Sequence, residues 1–376
     1  MKVLFDCRYT RLVRHDGISR YTAGLVDAFS KLHPVTMLIS DEEQLTMLPD
    51  LPWLKIRPGR SLLEPWVALA INRFEPDVVY SPMQTIGSAH RKFRLILTLH
   101  DMVFYRNRKP PREFSWFVRA IWWGYHFTYV PQRMALNRAE AVVTGSYNCH
   151  SEMVEARLTK RPISVIRPGV DANDLPPRRH ADVKSLVYMG TFMPNKNVET
   201  LARGMRHLPG YRLHLLSRID EGTRSRLAAL APDGAIVFEN GVSDERYLEL
   251  LRSSTAMVSA CLDEGFGIPL IEALAAATPL VISDIPVFRE VGGAAATFFD
   301  ATSPEGFAAA VLAMDEPERW NQLAALALDQ ANQFTWQESA RRLLELIETL
   351  PPRNRKWWKP CQRKLPNESG PAVARR

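Results

Sequence analysis

The sequence predicts an α/β protein made of two successive parallel-sheet units, and three observations carry that expectation. Short apolar runs alternate with stretches of helical period along most of the chain. The alternation breaks once near the middle, and then it starts again. Strands that alternate with helices imply βαβ crossovers and therefore parallel sheets. With 376 residues and 46% hydrophobic content, the chain can bury more than one core.

In the first unit, residues 1–170, the strands are expected at "KVLFD", "VTMLIS", "DVVYS", "RLILTLH" and "AEAVVTGS", with a helix at "GISRYTAGLVDAFSKL". Residues 171–183, "DANDLPPRRHADV", lose periodicity and concentrate proline and charge, so they read as a linker. The pattern resumes over 184–334 with "SLVYMG", "RLHLLS", "AIVFEN", "AMVSA" and "PLVIS", each followed by a helical stretch such as "VETLARGMRHL" or "DERYLELLRSS". A last amphipathic helix spans 335–350 and carries Leu343, Leu344 and Ile347 on one face. Residues 351–376 read as a non-globular basic tail. In doubly wound sheets ligands bind beyond the carboxyl ends of the strands, so the informative residues should follow these runs.

The net charge of +7 points to nucleic acid only until the charges are located. From Pro351 onward there are eight Lys/Arg and one acid, so the body before it is neutral and the basic balance belongs to the tail. No nucleic-acid-binding motif is present, and neither is G-x-G-x-x-G, which weakens a dinucleotide dehydrogenase. Cys7, Cys149, Cys261 and Cys361 show no metal or disulfide spacing, and a reducing compartment is expected. "MKVLFDCRYT" is broken by Asp6 and Arg8, which fits a first strand and not a signal peptide. No run is long and apolar enough to span a bilayer.

The chemistry concentrates in "DEGFGIPLIEALAAATPLVISD", residues 263–284. Gly265 and Gly267 free the backbone to bring its amides against a ligand, and Pro269 suits the first helical positions. The positive end of the helix that follows favours a phosphate. Glu272 could then accept from ribose hydroxyls and Glu264 from a second polar group across the phosphates. On these residues alone an equal alternative stands, in which Glu272 complements the helix dipole and Glu264 is solvated.

The E-x7-E spacing of Glu264 and Glu272, with G-F-G between them and Thr-Pro and "REVGG" in order behind, resembles the donor-site signature of the retaining glycosyltransferases of family 4. That family has the GT-B fold of two facing Rossmann-like domains with a C-terminal helix crossing back to the first. The resemblance extends to "HDGISRYTAGL", "RLILTLHDMVFY", "AVVTGSYNCHSEM", "ISVIRPGVD", "LVYMGTFMPNKNVETL" and "FTWQESA", leaving only the tail uncovered. It implies that Glu272 holds the nucleotide ribose, that Glu264 contacts the donor sugar, and that the amides of Gly265, Phe266 and Gly267 line the sugar and phosphate site. It also implies that Gly17 lies near the donor phosphates and that His100 holds the transferred sugar by a hydroxyl. Taken alone, His100 is more often a structural histidine.

One departure stands in "GTFMPNKN". Lys196 matches the family's diphosphate lysine, but Thr191 and Asn195 occupy positions where arginine is frequent. Positive groups aimed at a departing diphosphate stabilise the transition state, so Lys196 is expected to act with backbone amides and the helix end. No Asp-x-Asp motif sits in a suitable loop, and neither metal nor cofactor is expected. No residue is placed as an enzymatic nucleophile, which implies front-face transfer with retention.

The segment "REFSWFVRAIWWGYHFTYVPQR" holds Phe114, Trp116, Phe117, Trp122, Trp123, Tyr125, Phe127 and Tyr129 among Arg106, Arg108, Lys109, Arg112 and Arg133. Such a composition suits a membrane interface, or equally a buried helix lining the acceptor side. The tail's "RNRKWWKP" suits an anionic surface or a solvated end. The expected function is retaining transfer of a hexosyl unit, mannose or a related deoxyhexose, to a glycan or lipid-linked acceptor in polysaccharide biosynthesis. GDP-mannose is the favoured donor, and the expected location is the cytoplasm, peripheral to the inner face of the membrane. A nucleotide-sugar epimerase and a non-catalytic partner subunit on the same fold are the alternatives.

Overall fold

The computed structural model describes residues 1–59, 61–106, 116–170, 178–180 and 183–351. The linker lies largely outside these residues. So do the tail beyond 351, Arg108, Lys109, Arg112, Phe114, and the side chains of Trp122 and Tyr125.

Two parallel sheets form, as the alternation requires. The first contains β1 (Val3–Asp6), β2 (Val35–Ile39), β3 (Trp53–Lys55), β4 (Val78–Ser81), β5 (Arg94–Thr98), β6 (Ala141–Thr144) and β7 (Ile163–Val165), in the order 3-2-1-4-5-6-7. The second contains β8 (Ser185–Tyr188), β9 (Arg212–Leu215), β10 (Ile236–Phe238), β11 (Ala256–Ser259), β12 (Leu280–Ser283) and β13 (Ala296–Phe299), in the order 10-9-8-11-12-13. Each order reverses once, between β1 and β4 and between β8 and β11, and a crevice opens where it does.

The central strands are apolar throughout because helices cover both faces of each sheet. Val3 and Phe5 point into one core of the first unit and Leu4 into the other; Leu186 and Tyr188 divide from Val187 in the same way in the second. The first helix, Gly17–Ser30, starts at Asp16, whose carboxylate accepts from the Ser19 amide at 2.9 Å and satisfies one of its free donors.

The last helix, Trp336–Thr349, crosses back onto the first unit. It buries Trp336, Ala340, Leu343, Leu346, Ile347 and Leu350 in the same core as Val3, Phe5, Tyr21 and Leu25. Leu344, expected on the inward face, packs against this core while only partly buried, and Leu346 joins it there. Gly24 makes the close approach feasible, since a Cβ there would run into the Trp336 ring. Beneath the cleft end of β1, Arg8 is fully buried between Asp6, at 2.8 Å, and Glu64, at 2.9 Å. No helix among the described residues is long and apolar enough to cross a membrane.

Candidate functional site

Loops from the carboxyl ends of β5, β6, β8 and β11 converge between the two units. The units approach closely at Gly265, where a Cβ would stand 2.7 Å from the His100 carbonyl oxygen and 2.8 Å from the Asp101 Cβ. A side chain at 265 would push the units apart. Ser146, the N-cap of helix Tyr147–Glu155, donates its hydroxyl to the Gly265 carbonyl at 2.9 Å. Arg106 grips Asp263 across the same seam, with Nε 2.7 Å from Oδ2, and also pairs with Glu152. A third link comes from Glu290, whose two carboxylate oxygens accept from the Tyr147 and Asn148 amides at 3.0 Å each. An acid at a helix N-terminus meets both the free amides and the positive end of the dipole.

Within this frame Lys196, on the turn Pro194–Lys196, forms an ion pair with Glu264. Burial opposes the lysine's charge, but Glu264, Cys261 and Asp101 more than offset it, so its pKa lies above the ordinary value. The arrangement removes the solvated alternative for Glu264. Asn195 is buried, and its side-chain amide donates to the Asp263 carbonyl at 3.1 Å. It therefore fixes the 261–265 loop and supplies no charge in place of an arginine. Thr191 is exposed, and its carbonyl accepts from the Tyr188 hydroxyl at 2.6 Å.

Gly267 takes φ +96°, a left-handed conformation that favours glycine, and turns the chain into helix Ile268–Ala275 with Pro269 in its first turn. Phe266 is buried edge-on against Phe334 at 5.6 Å, leaving its backbone as the part that can face a ligand. Gly17 stands across the cleft from this helix, with Ile268 Cδ1 3.9 Å from where its Cβ would be. Glu272 sits one turn further along. Burial raises its carboxyl pKa and Arg20, 2.8 Å away, opposes that rise.

His100 follows β5, and its Nε2 lies 2.7 Å from the Pro82 carbonyl. A carbonyl only accepts, so Nε2 carries the proton and Nδ1 the lone pair. The Tyr21 ring packs edge-on at 5.0 Å, and burial lowers the imidazole pKa, which favours the neutral ring. Asp101 beside it is pushed up to about 6 by burial and then by the charges of Glu264 and Asp263, while the Val103 amide donates to it at 3.0 Å.

The structure thus gathers His100, Lys196, Glu264 and Gly265 at one seam, and Gly267 and Glu272 along the neighbouring helix with Gly17 facing it across the cleft. Arg20, Asp101, Ser146, Asp263 and Glu290 were not singled out from the sequence. Each stands inside a motif that was, but its partner lies in another part of the chain. The aromatic helix Trp116–Phe127 leaves Trp116, Phe117, Trp123 and Phe127 each more than half exposed, so these four do not form a buried lining. A surface pocket is edged by Val130, Arg133, Met134, Asn137, Lys160 and Arg161.

Comparison with known proteins gives two family matches: residues 15–174 match Glycosyltransferase Family 4, and residues 175–325 match Glycosyl transferases group 1. Serotype-specific mannosyltransferase WbdA of Escherichia coli is 38% identical over 111 residues, 30% of this chain and 13% of that protein. The chain therefore spans a small part of that relative's length. O-antigen chain mannosyltransferase B of Escherichia coli is 26% identical over 293 residues, 69% of this chain and 72% of the relative. Among solved structures, sucrose-phosphate synthase from Thermosynechococcus elongatus aligns with TM-score 0.73 at 17% identity, covering 93% of this chain and 98% of the other. Anabaena Alr3699/HepE in complex with UDP and glucose aligns with TM-score 0.71 at 18% identity, covering 93% and 100%. At these identities the structures share the GT-B fold with this chain.

Proposed function

Because the chain belongs to the family 4 glycosyltransferases, we propose that it transfers a hexosyl unit, mannose or a related deoxyhexose, from a nucleotide diphosphate sugar to a glycan or lipid-linked acceptor in polysaccharide assembly. The observation that carries this is the Lys196–Glu264 pair, held at the seam of the two units beside Gly265, His100 and Asp101. A cation and a carboxylate fixed there suit a leaving diphosphate and a sugar hydroxyl respectively. The O-antigen mannosyltransferases among the relatives support mannose and make GDP-mannose the favoured donor. The solved neighbour named with UDP and glucose supports a nucleotide-sugar donor of some kind.

In this mechanism Lys196, the amides of Gly265, Phe266 and Gly267 and the start of helix Ile268–Ala275 stabilise charge on the departing diphosphate. Glu264 orients the sugar, and Nδ1 of His100 is free to accept from one of its hydroxyls. The acceptor attacks on the face the diphosphate leaves, the leaving oxygen takes the acceptor's proton, and the configuration is retained. No protein nucleophile and no metal is invoked. Exposed Trp116, Phe117, Trp123 and Phe127 support a peripheral contact with a membrane from the cytoplasmic side.

The test is turnover of GDP-mannose and related nucleotide sugars with and without polyprenyl-linked acceptors. Transfer that requires an acceptor, with Lys196→Ala reducing kcat by on the order of 100-fold and Thr191→Arg neutral or activating, is the expected result. Donor turnover without any acceptor would favour an epimerase, and a Lys196→Ala enzyme of unchanged rate would remove the lysine from the diphosphate site.

A further inference from the structure

Arg20 lies in the first turn of helix Gly17–Ser30, yet its guanidinium is occupied in the other unit. Nη1 stands 2.8 Å from Oε1 of Glu272, and Nη2 stands 3.1 Å from Oδ1 of Asp244. Glu272 is nearly sealed: 13% of its side chain is exposed, and none of that exposure belongs to Oε1. Among the described residues, the other charged and titratable groups facing it are Asp244, which opposes its charge, and the buried Tyr247, which favours it, both on helix Asp244–Ser253. A carboxylate so enclosed, beside a second carboxylate, is costly to keep charged without a counter-ion. Arg20 is the cation in contact with it, and it arrives only from across the cleft.

We propose that Arg20 is a positioning residue for the donor nucleotide: by pairing across the cleft with the sealed oxygen of Glu272 it supplies the counter-charge and turns the other oxygen toward the ribose. This rests on Glu272 being the ribose carboxylate. Asp244, with 75% of its side chain exposed, contacts the far side of the same guanidinium.

The experiment is calorimetric titration of GDP and of UDP, at pH 6 and pH 8, into the full-length protein and its Arg20→Ala, Arg20→Lys, Glu272→Ala and Arg20→Ala/Glu272→Ala variants. Arg20→Ala and Glu272→Ala should each weaken the nucleotide that binds by about tenfold or more, the range for stripping one partner from a buried charge pair. The double variant should be no weaker than Glu272→Ala. Arg20→Lys should recover part of the loss, and if Arg20→Ala does not fold, the lysine variant carries the comparison. The Arg20→Ala defect should be larger at pH 6 than at pH 8, since Glu272 without its counter-ion takes up a proton more readily. Saturating donor should restore most of kcat, separating a binding role from a chemical one.

Additive losses in the double variant would overturn the proposal, as would wild-type or tighter binding in Arg20→Ala while Glu272→Ala is impaired. The tighter result would mean that Arg20 competes with the ribose. Unaltered binding in Glu272→Ala would instead overturn the ribose assignment itself, and this inference with it.

Discussion

Asp101→Asn should make the protein more stable at neutral pH, and the structure sets the size of the gain. The carboxyl of Asp101 is moved from an ordinary 3.8 to about 6, first by burial and then by Glu264 and Asp263. At about 1.4 kcal/mol for each pH unit, this corresponds to up to ~3 kcal/mol, an upper figure because the side chain is only half-buried. The sign follows from proton counts. Between about pH 4 and pH 6 the folded protein holds a proton that the unfolded chain has released, so stability falls as pH rises through that window, and the cost is fully present above it. Asparagine removes the charge and keeps an oxygen to accept from the Val103 amide. Urea unfolding of both proteins at pH 4, 5, 6 and 7.5 should show a gain that is greatest at pH 7.5 and vanishes by about pH 4. Adding Glu264→Gln to both backgrounds should shrink the gain. A variant less stable than its parent at pH 7.5, or a gain independent of pH, would refute this account. A stabilising change beside Lys196 and Glu264 would mark Asp101 as a carboxylate held for function at the expense of stability.

Glu290→Ala should leave the Tyr147 and Asn148 amides without their acceptor and cost about 1–2 kcal/mol, read as a lowered melting temperature with faster hydrogen exchange at those two amides. Gly24→Ala sets a methyl into the Trp336 ring and should destabilise the first unit by about 1–3 kcal/mol, measured by urea unfolding, because a ring buried in the core has little room to give. Changing Trp116, Phe117 and Trp123 together to serine should remove the salt-resistant part of vesicle binding without loss of fold, whereas deleting residues 352–376 should remove the salt-sensitive part; sedimentation with anionic and neutral vesicles at low and high salt separates the two.

The parallel α/β class was legible in the sequence, because the alternation of apolar runs and helical stretches is a local property, and the break over residues 171–183 divided it into two units. The sequence also marked the loops that matter, since the two glycines and the two glutamates of residues 264–272 need their types and spacing for one short turn and one helix start. The crossing helix was legible from its apolar stripe, but its exact face was not. Leu344 and Leu346 are both apolar and both meet the core around Tyr21 and Leu25, and only that contact decides that Leu346 is the more deeply buried. The same limit applies to the ion pairs. Arg20 reads as one more helical arginine, Asp263 as a loop acid and Glu290 as a helical acid, and nothing in their neighbours says otherwise. Their partners stand about 140 to 250 residues away, brought close by the seam at Gly265. Charge is felt over a few ångströms of space and not along the chain, so which cation neutralises Glu272 and which carboxylate has its pKa raised were decided only when the two units met.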